Sequence, residues 1–183
     1  KDTALIGSGV IFQSMNSTIS TNLSVILKLK RINFTISGAC ASSSHAIGLA
    51  YFLIQKGQQE MIVCGGGQKI NAESMASFDA LNAFSIIEYE PKKASRPFDK
   101  NRDGLVPSGG AATVIVESLD SALKRNAPIL GEIRGYGFSS NGDHISVPNV
   151  DGPVKSLEKC LQNANLRTDD IDYINAHATA TPV

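Results

Sequence analysis

The stretch CASSSHAIGLAYFLIQK, residues 40–56, constrains the fold more than any other. At helical spacing Ala46, Ile47, Leu49, Ala50, Leu53 and Ile54 cover most of a circumference, and Lys56-Gly57 closes it. A helix apolar nearly all round is expected to be buried. INFTISGA (32–39) is rich in β-formers and reads as a strand before it. EMIVCGGG (60–67) is a short apolar run ending in glycines, the pattern of a central strand. Further along, AATVIVESL predicts a buried strand, SALKRN a short helix, and PILGEIRGYGF a strand running into a glycine bend. Residues 152–165 predict an amphipathic helix and IDYINAH another strand. ISTNLSVILKLK carries a helical hint, and residues 71–84 suit a broken helix. Strand and helix alternate, so the fold class is α/β. Residues 90–110 form a long loop dense in Pro, Gly and charge, whose length marks a functional or ordered excursion.

Composition narrows the function classes. Hydrophobic residues make up 42% of the 183, and 17 Lys and Arg balance 17 Asp and Glu. That is a globular chain with no basic field for a nucleic acid and no polybasic segment for a membrane surface. No apolar run approaches the roughly 18 residues of a membrane span. KDTALIGSGV lacks the basic-then-apolar start of a signal peptide. The cysteines, Cys40, Cys64 and Cys160, are too few for a disulfide scaffold and fit a reducing, cytoplasmic setting. The sequons at Asn16, Asn22 and Asn33 are therefore read as incidental.

Cys40 lies in ISGACASSSHAIG (36–48), where almost nothing else has a large side chain. One reading is close packing, with the cysteine as a small hydrophobe. The other is nucleophilic catalysis, because a thiol at a helix N-terminus meets the positive end of the dipole, and small neighbours leave room for substrate.

Other motifs resolve more simply. Asp99, Asn101, Asp103 and Gly104 match the opening of a calcium loop, but Gly110 stands where its twelfth-position glutamate belongs. A self-bonded turn is the better reading. The glycine clusters at 7–9, 65–67 and 135–142 fit neither phosphate-binding spacing and read as turns and close backbone approaches. His45, five residues after Cys40 on the same helix, falls on nearly the opposite face and reads as a packing or hydrogen-bonded histidine. His144 sits in a surface-like loop. His177 ends an apolar strand, where α/β sheets bind ligands, and Thr179 and Thr181 follow. Cys64 and Cys160 read as core, and no zinc spacing exists. The residues thus yield one candidate pair, Cys40 and His177, suited to acyl transfer or hydrolysis.

Four ordered stretches carry a resemblance: SGACASSSHAIG, CGGGQKINAESMASFDALNAFS, ASRPFDKNRDGLVPSGGAATVIVESLDSALKRNAPILGEIRGYG and INAHATATPV. Together they resemble the β-ketoacyl-[acyl-carrier-protein] synthases, most closely synthase I. The resemblance implies a thiolase-like fold, layered α-β-α-β-α, in a homodimer. It implies two halves, residues 1–128 carrying the nucleophile and residues 129–183 opening the second. It implies chain elongation by decarboxylative condensation with malonyl-acyl carrier protein, without metal or cofactor. Cys40 then matches the nucleophile, and His177 an enolate-stabilising histidine. Thr179 and Thr181 match the threonines that bond the pantetheine arm, and Phe78 a residue lining the acyl pocket.

Against that pattern the chain reads as truncated at both ends. A second histidine, a lysine and a glycine-rich oxyanion segment fall beyond Val183. This stretch alone is therefore expected to be inactive. In the family's H-G-T-S-T motif, Ala178 replaces glycine and Ala180 replaces serine, which bears on the local backbone. A polyketide or aryl-polyene ketosynthase, or a non-catalytic dimerisation or carrier-binding piece, are the alternatives.

Overall fold

The computed structural model of the chain describes residues 7–145 and 147–182. The opening KDTALI, on which the signal-peptide expectation partly rests, lies outside them. Two compact units form: the chain up to Gly67 together with Ala111–Pro128, and Gln68–Gly110 together with the chain from Ile129.

In the first unit, helices α1 (Val10–Ser14) and α2 (Thr18–Ile26) are joined tightly, with the Thr18 hydroxyl donating to the Met15 carbonyl at 2.6 Å. A 3₁₀ turn, Ala39–Ala41, leads into α3 (Ser42–Gln55). Strand β1 (Met61–Gln68) follows and pairs with β2 (Gly110–Glu117) in a two-stranded sheet. The pair runs antiparallel. The Ser118 N–H bonds the Glu60 carbonyl at 2.9 Å, and Gly65 faces Ala112 and Thr113. A Cβ on Gly65 would stand 2.1 Å from the Ala112 carbonyl oxygen, so only glycine fits that crossing. Helix α5 (Leu119–Lys124) is N-capped by Ser118, whose hydroxyl accepts from the Ser121 N–H. Just before it, the nearly buried Glu117 carboxylate accepts two bonds from Arg125 Nε and one from Nη2, and one from the Ser121 hydroxyl. Those bonds, Arg125 first, outweigh burial and hold the Glu117 carboxyl below its ordinary range.

In the second unit, Asn71 caps helix α4 (Ala72–Ala80) by accepting from the Ser74 N–H at 2.8 Å. The helix is unbroken, unlike the broken one expected over 71–84. The long 90–110 loop is ordered by a parallel bridge between Phe84 and Leu105 and by Asp103. Asp103 accepts from the Ser85 hydroxyl, the Ile86 N–H and Arg96 Nη2 at 2.8–2.9 Å. Helix α6 (Asp151–Ala164) ends at left-handed Asn165. The backbone of 135–139 lies directly against it. A Cβ on Gly137 would meet the Ser156 carbonyl oxygen and the Cys160 nitrogen at 2.3 Å. The Tyr136 N–H bonds Asn163 Oδ1, and the Ser139 and Ser156 hydroxyls pair at 2.7 Å.

Several expectations need correction. Residues 32–39, 128–138 and 171–177 are not strands. A strand exists only through a partner's ladder. Here Asn33 and Thr35 bond Ser20 through side chains, 135–139 bonds α6, and Tyr173 and Ile174 are exposed. β1 is not central among the described residues, and β2 is not buried: Ile115 is 58% exposed. A two-stranded sheet covers neither face by itself. α3 buries only Gly48 and Ala50 fully and is half-buried over most of its apolar surface. Cys160 is half-buried, with the 135–137 backbone against its own.

Candidate active site

Cys40 stands on the 3₁₀ turn immediately ahead of α3. The turn is built by neighbours. Ala41 N–H bonds the Gly38 carbonyl at 3.0 Å. Ser42 Oγ accepts from Gly38 N–H at 2.9 Å and donates to the Ala39 carbonyl at 2.7 Å. Ala39 takes a left-handed φ of +49°, a conformation that residues with a Cβ avoid at a cost of about 1–2 kcal/mol. Cys40 is thereby raised on a tight, strained turn. It is exposed, whereas Cys64 is buried and Cys160 half-buried. Burial pushes the Cys64 thiol up, disfavouring its thiolate. The His45 ring closes over Gly38, where a Cβ would meet Cδ2 at 2.7 Å. Ser43 in turn lies against Gly66 of β1.

The remaining candidates belong to the second unit. Phe78, in the last turn of α4, stacks on Phe84 with centroids 6.3 Å apart and keeps 42% of its surface exposed. His177 is exposed and begins a short irregular turn. The Thr179 and Thr181 hydroxyls meet at 3.0 Å. Between and before them, Ala178 and Ala180 take φ of +37° and +68°. Both are left-handed angles that a residue with a Cβ takes at a cost, and Ala180 is buried.

Sequence reasoning missed Arg102. Its Nε donates to the Thr181 carbonyl at 3.0 Å and its Nη2 to the Pro182 carbonyl at 3.2 Å, while Nη1 bonds the Asp99 carbonyl. The calcium-loop comparison drew attention to the carboxylates of DKNRDG and passed over the arginine between them. Those carboxylates are occupied: Asp99 Oδ1 accepts from the Asn101 N–H, and Asp103 is bonded as described. Among the described residues no cluster of metal-ligating side chains occurs. Burial opposes ionisation of Asp103 but is outweighed by the Ile86 N–H, the Ser85 hydroxyl and the Arg96 charge, which hold its carboxyl below the usual range.

A shallow hollow of about 380 Å³ lies along α6, lined by Ser139, Asn141, Pro148 and Asn149 among others. It contains none of the candidate residues. Among the described residues no helix is long and apolar enough to cross a membrane.

Two family models match the chain. "Beta-ketoacyl synthase, N-terminal domain" matches residues 2–122, and "Beta-ketoacyl synthase, C-terminal domain" matches residues 130–183. The chain is 44% identical to 3-oxoacyl-[acyl-carrier-protein] synthase 1 of Buchnera aphidicola subsp. Acyrthosiphon pisum (strain APS), over 93% of this chain and 42% of that protein. Its fold matches the crystal structure of a beta-ketoacyl synthase from Burkholderia phymatum STM815 with a TM-score of 0.94 and 39% identity. That match covers 98% of this chain and 44% of the other. A type II polyketide ketosynthase, solved with its acyl-carrier protein, matches with a TM-score of 0.93 and 28% identity over 99% of this chain and 45% of its own. The chain thus spans about two-fifths of the length of the curated relative it matches.

Proposed function

The chain belongs to the beta-ketoacyl synthase family, and from that premise we propose that the complete protein elongates acyl chains by decarboxylative condensation on acyl carrier protein. Its thiolase-like fold is shared with the solved ketosynthases. The observation that carries the reading is the presentation of Cys40. Of the three thiols it alone is exposed, on a strained turn at the mouth of the apolar helix α3.

In this reading the Cys40 thiolate attacks the carbonyl carbon of an acyl thioester. The carrier's C–S bond breaks, and its sulfur leaves as a thiolate that takes up the proton the Cys40 thiol gave up on ionising. Malonyl-carrier protein then loses carbon dioxide, and the electron pair left behind forms an enolate. The enolate carbon attacks the acyl-Cys40 carbonyl, a C–C bond forms, and the Cys40 thiolate is released. A His177 N–H donates to the enolate oxygen, stabilising charge where it develops. Thr179 and Thr181 bond the carrier's pantetheine arm, and Phe78 lines the acyl channel. The division into halves at 128/129 belongs to the same proposal, supported by family models that end at 122 and begin at 130. So do a cytoplasmic location, a homodimer, and binding of a carrier protein. The carrier-bound structure of the polyketide ketosynthase supports the last of these. The higher identity to synthase 1 than to that ketosynthase, 44% against 28%, favours fatty-acid over polyketide chemistry.

The test is acyl transfer read by peptide mass. The complete protein, incubated with an acyl-carrier protein, should gain one acyl group on the peptide containing Cys40. Cys40→Ala should gain none. Equal acylation of Cys64 or Cys160 would defeat the reading.

A further inference from the structure

We propose that Arg102 is a positioning residue for the 177–182 turn and thereby sets how the carrier's arm is bound. This deepens the proposed function and rests on its assignment of Thr179 and Thr181 to the arm.

Three observations converge. First, the turn contains two alanines at positive φ, Ala178 and Ala180. Left-handed alanines persist only where surrounding bonds over-determine the backbone. Second, hydrogen bonds over-determine it on its C-terminal side. Arg102 reaches across 79 and 80 positions of sequence to the carbonyls of Thr181 and Pro182. A guanidinium donating two bonds from one rigid fork fixes direction as well as distance. Third, Arg102 is itself held. Its Nη1 bonds the Asp99 carbonyl, and the Arg102 N–H bonds the same carbonyl at 3.2 Å. The turn that holds it is closed by the Asn101 N–H on Asp99 Oδ1, and next to it Asp103 is locked to Arg96, Ser85 and Ile86.

The consequence concerns the two threonines. Their hydroxyls meet at 3.0 Å only while the backbone between them keeps its left-handed kink at Ala180. A paired hydroxyl set offers an amide-bearing arm one donor and one acceptor in fixed geometry. Released from Arg102, the turn relaxes toward ordinary backbone angles and the pair separates. The long loop around DKNRDG, set aside as a calcium site, thus acts as the brace for the arm-binding turn.

The experiment uses the complete protein and four variants: Arg102→Ala, Arg102→Lys, Thr179→Ala and Thr181→Val. Two readouts apply: kinetics with malonyl-carrier protein, and hydrogen exchange of the peptide spanning 174–182. Arg102→Ala should raise KM for malonyl-carrier protein about tenfold, the scale of one lost charge-assisted bond, with kcat changed less. Acylation of Cys40 from a small thioester lacking the arm should keep its rate. Exchange should quicken in 174–182 and not in 38–55. Arg102→Lys, a point charge without the fork, should recover part of the KM and not all of it. Should Arg102→Ala not fold, Arg102→Lys carries the test through the same KM shift and exchange pattern. If neither threonine variant raises KM, the assignment of the arm to this turn fails. If they do and both arginine variants leave KM and exchange unchanged, the brace alone is overturned. An equal loss for small and carrier-borne thioesters, with exchange faster throughout, would also overturn it in favour of a general stabilising role.

Discussion

The Cys40 turn and the His177–Thr181 turn solve the same problem by different means. Each keeps alanine in a left-handed conformation: Ala39 in the first, Ala178 and Ala180 in the second. The first is held by bonds among Gly38, Ala39, Ala41 and Ser42, all within four residues. The second is held by Arg102 from about eighty residues away. A turn built from its own neighbours forms with the local chain. A turn braced from afar is correct only after distant loops have folded. The first is therefore robust and the second adjustable.

That comparison can be broken at several points. The largest expected effect is at the proposed nucleophile. Cys40→Ser should lower condensation by at least about a thousandfold, because a hydroxyl has no comparable ionised form at neutral pH. Circular dichroism should stay unchanged, and retained turnover would remove Cys40 from the chemistry.

Next in size is a packing test. Gly65→Ala places a methyl group 2.1 Å from the Ala112 carbonyl oxygen, a backbone atom that cannot swing aside. Denaturant unfolding should show a loss of about 1–3 kcal/mol, the usual scale of overpacking. An unchanged midpoint would mean that β1 and β2 are not so closely apposed.

A smaller effect should change sign between regions. Ala50→Gly, inside α3 and buried, should destabilise by about 1 kcal/mol through lost helix propensity. Ala178→Gly should instead be neutral or stabilise by up to about 1 kcal/mol. Relief of the left-handed strain offsets glycine's entropy there. Equal losses at both positions would deny the strain in the second turn.

The smallest effect is acid dependence. The Asp103 carboxyl titrates lower folded than unfolded, so it binds fewer protons in the native state. Its contribution is complete above the unfolded carboxylate range, near pH 4, and is lost as pH falls through the folded value. Tm profiles of the native protein and Asp103→Asn should therefore converge toward low pH. Hydrogen exchange should quicken in 96–105 and 174–182 before 38–45, whose turn is closed by bonds among backbone groups and the Ser42 hydroxyl. Parallel profiles would place Asp103 outside the brace.

Much of this was legible from local pattern. α3, α5 and α6 overlap the helices expected over 40–56, at SALKRN and over 152–165. Cys40 is a candidate because it is a thiol among small residues before an apolar run. His177, Thr179 and Thr181 are candidates read as types at a spacing. The strands at 32–39, 128–138 and 171–177 were misread because β-propensity reports a surface that suits a ladder, not the presence of one. β2's exposure was missed for the same reason.

By itself the sequence determined short-range facts: the helices α3, α5 and α6, a thiol among small residues at a helix start, and the family pattern the motifs compose. Those depend on residues within a few positions, whose sterics and hydrogen bonding are written in order. Only the tertiary structure decided that β1 and β2 run antiparallel through a glycine crossing, that Asp103 bonds Arg96, Ser85 and Ile86, and that Arg102 reaches Thr181 and Pro182. Such contacts join groups far apart in the chain, and their free energy depends on distance in space, which a linear order does not encode residue by residue.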